Sequence, residues 1–556
     1  MKRSEKHLNT LDCWTDAGLY SEPFEEIATR EIQRVARPVR IVVKDGARRV
    51  ARPSAPMSER EASPDPSVQR KDLHSVAAVS PALHPETLGD SGFKRLLNLK
   101  YAYVVGAMAN GITSVEMVEA AGRAGMVGFF GAAGLPLDEI ERAAHQLKQR
   151  MDGLPYGFNL IHSPNDPALE LETVRLYLSQ GIERVSASAY MDLTVPLVYY
   201  RIKGIHRDRS GSVICPNTVI GKISREEVAR KFFSPAPQKI ISQLLESNLI
   251  TREEAALSSE VPVAQVLTAE ADSGGHTDNR PALTLLPTLM ATRDQLAEKH
   301  GFKMPLFVGL GGGIATPDAA AAAFSMGAAY ILTGSVNQAC MESGTSDAVR
   351  RMLAEAGQAD IAMAPAADMF EMGVKVQVLK RGTMFPLRAA KLYDLYSRYN
   401  AFESIPENQR NILEKEFFHR SFEAQWSQTR LFFEKRDPSQ IQRAQSDPKH
   451  KMALVFRSYL GQASNWANAG VPSRQLDYQI WCGPAMGAFN AWTKDTFLEN
   501  PQNRKTVLVA MNLLLGAATI TRAAVLKHQG IPLPPGADRF TPKTMTEIEV
   551  LLRHND

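Results

Sequence analysis

In the stretch Glu270-Ala-Asp-Ser-Gly-Gly-His-Thr-Asp-Asn-Arg-Pro281, a strand of apolar and β-branched residues ends and a helix begins. Enzymes built from alternating strands and helices keep their chemistry at junctions of this kind. Gly274 and Gly275 lack side chains, so a ligand can approach the backbone there. His276 follows with a ring that can donate, accept or shuttle a proton near neutral pH. The stretch therefore predicts an active site with His276 as its catalytic candidate.

The alternation of strand and helix patterns extends over the middle of the chain. Eight segments have the apolar and β-branched composition of buried strands. They are residues 101–108, 126–132, 156–162, 184–190, 219–224, 265–272, 305–311 and 329–334. Helix patterns lie between most of them, for example at residues 114–123, 137–150, 167–180, 281–300 and 317–326. Eight strands separated by helices predict an α/β fold of the (β/α)8 TIM-barrel type, with its active site at the carboxyl ends of the strands.

Three regions depart from a minimal barrel, which is expected over residues 81–400. Residues 225–262 carry more helical pattern than one connection needs, and they predict a helical insertion. Residues 401–556 have almost no strand pattern and predict a C-terminal helical domain. Residues 1–80 have weak apolar periodicity, and 48–71 are rich in Arg, Pro, Ser and Glu. This N-terminal segment is therefore predicted to be a partly disordered arm.

Glycines also mark the ends of the seventh and eighth predicted strands. Gly312 and Gly313 precede a helix pattern, and Gly334 and Ser335 follow the eighth strand. Free N–H groups at a helix start attract anions, and the loops after strands seven and eight of a barrel often form one phosphate pocket. The pair predicts a phosphorylated ligand, although each site alone is equally consistent with tight turning.

Other strand ends carry residues suited to a flat, polar ring such as a flavin. Ala107 and Met108 follow the first strand, where small residues let a ring lie against the backbone. Asn159 offers an amide that can pair with a pyrimidine edge, and the Lys222 cation can stabilise a reduced flavin. Taken singly, core packing, a turn and a surface lysine explain Met108, Asn159 and Lys222. Their common position at the barrel's active face favours a cofactor.

Composition limits the partners and the compartment. The chain has 556 residues, 44% hydrophobic and 22% charged, with a formal net charge of +4, so bulk electrostatics favour neither nucleic acid nor a membrane surface. The four cysteines, at 13, 215, 340 and 482, lack metal-like spacing and predict plain thiols with no metal site. The N-terminus lacks a signal-peptide pattern, which predicts a cytoplasmic protein. Residues 507–524 contain Asn512 and Arg522 and predict a buried helix, not a membrane span.

Four motifs carry a resemblance to a known family. They are Tyr103-Val-Val-Gly-Ala-Met-Ala-Asn-Gly-Ile112, Gly125-Met-Val-Gly-Phe-Phe-Gly-Ala-Ala-Gly134, the Glu270–Pro281 stretch and Ile480-Trp-Cys-Gly-Pro-Ala-Met-Gly-Ala-Phe-Asn490. The chain from about His84 onward resembles the PfaD family, the trans-acting enoyl reductases of polyunsaturated fatty acid and polyketide synthases. These are grouped with FMN-dependent enoyl reductases and nitronate monooxygenases.

The resemblance implies FMN at the barrel mouth, with its phosphate at Gly312, Gly313, Gly334 and Ser335. It implies NADPH as the reductant and an enoyl thioester on an acyl carrier protein, or on a carrier domain of a synthase, as the substrate. His276 matches the family's active-site histidine, as proton donor or as the group that orients the thioester carbonyl. A homodimer is left open.

The helical tail offers a candidate surface for an acidic carrier. Arg420, Trp426, Arg430 and Arg436 lie in one stretch and are predicted either to dock the carrier or to brace the tail against the barrel.

Alternative functions use the same barrel. A nitronate monooxygenase would use the histidine to abstract an α-proton, although the helical tail argues against it. An inosine-monophosphate-dehydrogenase-like enzyme needs a nucleophilic cysteine near the phosphate glycines, whereas Cys340 lies inside the next helix pattern. An inactive synthase scaffold is the third alternative, against which the intact glycine and histidine positions weigh.

Overall fold

A computed structural model describes residues 13–14, 19–52, 74–164 and 166–553. The chain divides into two compact units. The first unit contains residues 1–91, 316–327 and 507–556, and the second contains residues 92–315 and 328–506. The barrel strands and all the predicted site residues belong to the second unit.

The second unit is built on a closed, eight-stranded parallel barrel, which confirms the predicted fold class. Its strands, in chain order, are Tyr103–Val105, Val127–Phe130, Tyr156–Ile161, Arg184–Ser188, Thr218–Ile223, Val266–Glu270, Phe307–Gly311 and Ile331–Thr333. Each strand pairs with its neighbour in sequence, and the eighth pairs with the first through Ile331 and Tyr103. Every predicted strand therefore exists, because strands covered on both sides are apolar throughout and easy to recognise.

Helices with clear sequence signals follow the barrel strands. Those whose bounds lie near the predicted ones are Val115–Arg123, Leu137–Met151, Pro167–Gln180 and Ala282–His300, with Val195–Ile202 after the fourth strand. Ser114 accepts a hydrogen bond from the amide of Met117, and Asp166 accepts one from Leu169. These side chains satisfy amide groups that have no partner inside the helix, and they fix where each helix begins.

The predicted insertion after the fifth strand is helical. It contains the helices Glu226–Phe232, Gln238–Glu246 and Arg252–Leu257 and a short 3-10 turn, Ser258–Glu260. Thr251 and Glu254 form a capping box at the start of the third helix. A two-stranded hairpin, His206–Arg207 with Val213–Ile214, lies before the fifth strand and was not predicted from the sequence.

Beyond residue 400 the second unit is helical, as predicted. Its α-helices there are Glu407–Ile412, Phe422–Arg436, Pro438–Ser446, Pro448–Ala469 and Ala485–Thr493, with a π-helical turn at Leu413–Phe418. Two further helices, Asp347–Ala354 and Phe385–Arg398, lie before residue 400, in the range predicted for the barrel. Aromatic and aliphatic side chains from several of these helices form one core around Phe370 and Phe456. Buried Asp477 bonds to Arg388, Arg474 and Tyr459, which ties the helices together around one carboxylate.

The first unit differs from the predicted disordered arm. Residues 19–52 and 74–80 contain the helix Phe24–Gln33 and the strands Val39–Lys44, Ala47–Val50 and His74–Ser80 of one sheet, while residues 53–73 lie outside the described part. Asp45 and Gly46 both have positive φ and close a tight hairpin between the strands Val39–Lys44 and Ala47–Val50. An Asp-Gly pair is a strong hairpin signal, and the many arginines around it concealed the alternating apolar residues.

The predicted buried helix is part of the α-helix Thr506–His528. It is long and apolar enough to cross a membrane, but 72% of its most apolar window is buried inside the protein. Arg522 is fully buried and donates to the carbonyl oxygens of Pro81, Glu31, Ile32 and Arg37. An arginine that caps four carbonyl groups explains how this helix accommodates a buried charge.

Candidate active site

The glycines after strands seven and eight differ in how much space surrounds their backbone. Gly312 and Gly313 both have positive φ, at 86° and 77°. A Cβ atom on Gly312 would lie 2.6 Å from the main-chain carbon and oxygen of Ala271, whereas one on Gly313 or Gly334 would meet nothing within 4 Å. Gly312 is therefore required by packing, and the other two glycines border open space. Ser335 begins a four-residue helix, and its hydroxyl accepts from the amide of Gly483 at 3.3 Å.

The loop after the first barrel strand is compact, and the Thr113 hydroxyl holds it through hydrogen bonds to main-chain groups. The amide of Met108 donates to the Thr113 hydroxyl at 2.9 Å, and that hydroxyl donates to the carbonyl of Gly106. A Cβ atom on Gly131 would lie 1.8 Å from the Met108 carbonyl oxygen, so the neighbouring strand end must be glycine. Ala107 and Met108 are partly exposed at this turn. Their role as a surface for a flat ring stays a prediction.

Asn159 and Lys222 lie in neighbouring parts of the barrel but have different partners. Asn159 is only 7% exposed, and its side-chain oxygen accepts from the Ser188 hydroxyl at 3.0 Å. Its amide nitrogen has no hydrogen-bond partner within the described residues and remains available to a ligand. Lys222 forms an ion pair with Glu270 at 2.6 Å. This pairing, which was not among the sequence-based predictions, balances the lysine charge locally.

His276 lies on a two-residue strand, Gly275–His276, that pairs antiparallel with the strand Lys375–Leu379. That strand pairs in turn with Ile361–Pro365, so a small three-stranded sheet carries the catalytic candidate. The Nε2 atom of His276 lies 3.2 Å from the carboxylate of Asp368. Their side chains are 35% and 50% exposed, so both can contact a ligand.

The charge of Asp368 controls the protonation of His276. Desolvation lowers the pKa of His276, but the hydrogen bond and the charge of Asp368 outweigh it and raise the pKa above its ordinary value. The pKa of Asp368 is lowered, because the contribution of His276 overcomes desolvation. Because a carboxylate only accepts hydrogen bonds, Nε2 carries the proton in this pair. The Nδ1 atom has no partner among the residues described, so it is the nitrogen that can act on a ligand.

A network of amide side chains holds the loop that carries His276. The side chain of Gln377 donates to Asp272 and to the carbonyl of Ser273, both at 2.9 Å. Asn279 donates to Asp272 at 2.8 Å and to Gln377 at 3.2 Å. Asn279 has φ of 50°, a conformation that asparagine tolerates better than most residues. Gln377 lies about a hundred residues from the loop, so no local sequence pattern marks it as part of the site.

The predicted Ile480–Asn490 motif packs on the same loop. A Cβ atom on Gly274 would lie 2.8 Å from the amide nitrogen of Cys482, and one on Gly483 would lie 2.9 Å from the nitrogen of Gly274. Glycine is thus needed on both sides of this contact. Gly274 therefore has a packing role, in addition to the ligand approach predicted for it.

Two buried cysteines, Cys340 and Cys482, are poor candidates for a nucleophile at this site. Burial raises the pKa of the Cys340 thiol far above its ordinary value and that of Cys482 to about 12. Cys340 is fully buried, and its thiol donates to the carbonyl of Val336. Thiols that stay protonated are poor nucleophiles, which argues against the inosine-monophosphate-dehydrogenase-like alternative.

The predicted carrier surface on the tail is only partly free. Trp426 packs against the aromatic core of the helical part, and Lys451 lies over its ring at 5.6 Å. Arg430 pairs with Glu434 at 3.2 Å, and Arg420 is exposed. The side chain of Arg436 lies outside the described residues. Trp426 therefore braces the tail internally, while Arg420 and Arg430 remain at the surface.

The barrel, the glycine-lined mouth and the paired histidine define a TIM-barrel oxidoreductase. The nitronate monooxygenase family matches residues 93–398, more than half of the chain, and the inserted helical domain of acyl-carrier-protein S-malonyltransferase matches residues 399–478. The chain belongs to the nitronate monooxygenase family.

Its relatives come from fatty acid and polyketide synthesis. The chain is 47% identical over 478 residues to one of the polyunsaturated fatty acid synthase subunits of Thraustochytrium sp., a match that covers 84% of this chain and 32% of the relative. It is 44% identical over 468 residues to polyketide biosynthesis protein PksE of Bacillus subtilis, covering 84% of this chain and 60% of the relative. The chain thus spans less than two thirds of either relative's length.

A solved structure agrees with these matches. The enoyl reductase domain of MlnA, from the macrolactin biosynthesis cluster of Bacillus amyloliquefaciens, has a TM-score of 0.76 and 38% identity, covering 80% of this chain and 99% of that one. Together the comparisons confirm the resemblance predicted from the four motifs. The chain contains an enoyl-reductase-like domain of the type found in polyketide and polyunsaturated fatty acid synthase systems.

Proposed function

We propose that the protein is an FMN-dependent enoyl reductase that uses NADPH to reduce the α,β-double bond of carrier-bound enoyl thioesters. The proposal rests mainly on the position of His276 at the mouth of the barrel, where its ring is hydrogen-bonded to Asp368. The backbone of Gly313 and Gly334, which follow strands seven and eight, is open to a ligand. The 38% identity to the enoyl reductase domain of MlnA supports the same reaction class.

The residues at the mouth fit a flavin mononucleotide. The open faces of Gly313 and Gly334 leave room for a phosphate against the backbone, and the Ser335 hydroxyl can donate to it. The free amide nitrogen of Asn159 is a donor for a carbonyl oxygen of the ring system. Lys222 supplies positive charge, moderated by its ion pair with Glu270. When bound, the flavin would supply hydride transfer from NADPH to the β-carbon of the enoyl group.

His276 is the group proposed either to donate the proton or to orient the thioester carbonyl. Reduction adds a hydride at the β-carbon and a proton at the α-carbon, while NADPH is oxidised to NADP⁺. Because Asp368 raises the pKa of His276, the ring keeps a proton to a higher pH than an ordinary histidine. The Nδ1 atom of the protonated ring can donate that proton or hydrogen-bond the thioester carbonyl. Asp368 acts as a positioning residue through its bond to Nε2.

The proposed partner is an acyl carrier protein or a carrier domain of a synthase. The relatives belong to a polyunsaturated fatty acid synthase and to polyketide biosynthesis, and both kinds of pathway build acyl chains on carriers. Carrier proteins are acidic, so the exposed Arg420 and Arg430 remain the candidate docking residues. Attraction between exposed charges is screened over about 8 to 10 Å near physiological salt, so docking there weakens as salt rises.

Stopped-flow measurement of the two half-reactions tests this function. Wild-type protein reconstituted with FMN is reduced by NADPH or by NADH, and the reduced protein is then reoxidised by a crotonyl thioester. His276→Ala is expected to leave the first step intact and to slow the second by about 100-fold or more, the usual size of general acid catalysis. His145→Ala, an exposed histidine on the helix Leu137–Met151, is the control. Equal loss in both steps makes His276 a flavin-positioning residue instead.

Nitronate oxidation is the alternative that the family match favours. In that reaction His276 would accept an α-proton from a nitroalkane, so the neutral ring would be the active form. Oxygen consumption with nitroalkanes, in the absence of nicotinamide nucleotide and enoyl thioester, separates the two reactions. Turnover with nitroalkanes together with no reoxidation by crotonyl thioester would establish the alternative.

A further inference from the structure

A cavity of about 260 Å³ opens beside the loop that carries His276. It is lined by the segment that follows the fifth barrel strand and by the first turns of the helix Ala282–His300, which follows the sixth. Strands five and six are hydrogen-bonded neighbours, so the cavity lies on the same barrel face as Lys222 and His276. Small-molecule pockets span about 300–1,000 Å³, so this open cleft of about 260 Å³ is smaller than a typical site for a whole ligand.

One wall of the cavity is held by an ion pair. Arg225 binds both carboxylate oxygens of Asp278, at 2.8 and 2.9 Å, and the Ser224 hydroxyl donates to the same group at 2.6 Å. The pKa of Asp278 falls to about 2, chiefly because of its bond to Arg225. Since Asp278 is two residues from His276, this clamp fixes the cavity and the catalytic loop relative to each other.

Arg280 is the cation that the clamp leaves available. It lines the cavity, its side chain is exposed, and it forms no ion pair in the part of the chain that the structure describes. Glu226 is compensated by Arg230 at 2.6 Å, whereas Glu227 has no such partner among the same residues. An unpaired guanidinium is suited to a phosphate, and an unpaired carboxylate to a hydroxyl or amide donor.

The remaining polar groups of the cavity are acceptors. Thr284 and Thr288 donate their hydroxyl protons to carbonyl groups of their own helix, at Pro281 and Thr284. With their protons used in this way, the two hydroxyl groups can only accept hydrogen bonds from a ligand. The site thus presents one phosphate-binding cation with several groups that accept from O–H or N–H donors.

The geometry points to a subsite for the phosphate-bearing part of a cosubstrate, with Arg280 binding the phosphate. This inference rests on the proposed function. Both cosubstrates of the proposed reaction have this chemistry, since NADPH carries phosphates with ribose hydroxyls and the phosphopantetheine arm of a carrier carries a phosphate with a hydroxyl and amides. Arg280 would then determine affinity for one of them without taking part in the chemistry.

Arg280→Gln tests the subsite, with Arg252→Gln as a control at an exposed arginine on another helix. Calorimetric titration of the holoenzyme with NADP⁺ and with 4′-phosphopantetheine measures binding independently of turnover. Loss of a charge-assisted hydrogen bond is expected to weaken one of the two about 10-fold or more, with unchanged flavin content and no effect of the control.

The pattern of loss identifies the ligand. Weaker NADP⁺ binding with a higher KM for NADPH assigns the subsite to the nicotinamide nucleotide. Weaker 4′-phosphopantetheine binding assigns it to the pantetheine arm. In that case the KM should rise for crotonyl-4′-phosphopantetheine but not for a crotonyl thioester of N-acetylcysteamine, which has no phosphate. Unchanged affinity for both ligands refutes the inference. Wild-type protein that binds either ligand through Arg280 but catalyses neither half-reaction refutes the proposed function instead.

Discussion

Alanine at each of three mouth glycines separates packing from ligand binding. Gly312→Ala places a methyl group 2.6 Å from main-chain atoms of Ala271, which cannot rotate away. An L-residue in the left-handed region costs roughly 1–2 kcal/mol, and overpacking of this kind adds typically 1–3 kcal/mol. We therefore expect a loss of roughly 2–5 kcal/mol in the free energy of unfolding for Gly312→Ala. Gly313→Ala, with positive φ but open surroundings, should lose only roughly 1–2 kcal/mol.

Gly334→Ala is the variant that isolates the ligand. Its φ is −126°, which an alanine adopts without the left-handed penalty, and its Cβ would meet no atom within 4 Å. Its stability should stay within about 0.5 kcal/mol of wild type. If FMN phosphate lies against this backbone, the added methyl group should raise the Kd for FMN about 10-fold or more, since 1.4 kcal/mol corresponds to one decade.

The assay combines urea unfolding of the flavin-free protein with fluorescence titration of FMN into each variant. The expected order of destabilisation is Gly312, then Gly313, then Gly334, whereas Gly313 and Gly334 should both lose FMN affinity. An unchanged Kd for FMN in Gly334→Ala refutes the phosphate assignment at the eighth strand. Equal destabilisation by Gly312→Ala and Gly313→Ala refutes the packing argument.

Two carboxylates give further tests. Asp368→Asn removes the charge that raises the pKa of His276. Reoxidation by crotonyl thioester needs the protonated ring, so its rate falls as the pH rises through that pKa. In the variant, the rate should therefore fall at a lower pH. Single-turnover rates measured across the pH range check this, and a profile that coincides with wild type contradicts it. Asp477→Asn leaves the buried Arg474 and the half-buried Arg388 without their counter-charge, so unfolding of the helical part should become easier by about 3–5 kcal/mol. Hydrogen exchange in the helix Pro448–Ala469 measures this, and unaltered protection there argues against a stabilising role for Asp477.

The barrel was predictable because its signals are local. Each strand is a short apolar run, and helix starts such as Ser114 and Thr316 carry side chains that cap the first free amides. The positions of Asn159 and Lys222 near the carboxyl ends of strands three and five follow from the strand assignments. The ion pair between Lys222 and Glu270 could also have been predicted, because both residues lie at the carboxyl ends of neighbouring strands. In the barrel, Lys222 lies opposite Thr268, two residues before Glu270.

The environment of His276 was not predictable, because it depends on contacts between distant segments. Asp368 follows it by 92 residues, and nothing in the local pattern of either segment records their pairing. The strand Lys375–Leu379 is apolar at alternate positions, which predicts a strand but not its partner. The sequence therefore identified the chemical group at the site without the groups that set its protonation.

The contact between Gly274 and Cys482 changes how the C-terminal part of the second unit is understood. Sequence patterns predict a separate helical domain after residue 400, yet Gly483 and Gly274 approach so closely that neither tolerates a side chain. Cys482 also donates its amide to Gln377, which in turn holds Asp272 and Ser273. The segment Ile480–Gly483 thus forms part of the support for the loop that carries His276. Removal of the tail would consequently alter the catalytic loop itself, and the tail cannot be treated as an appendage for partner binding alone.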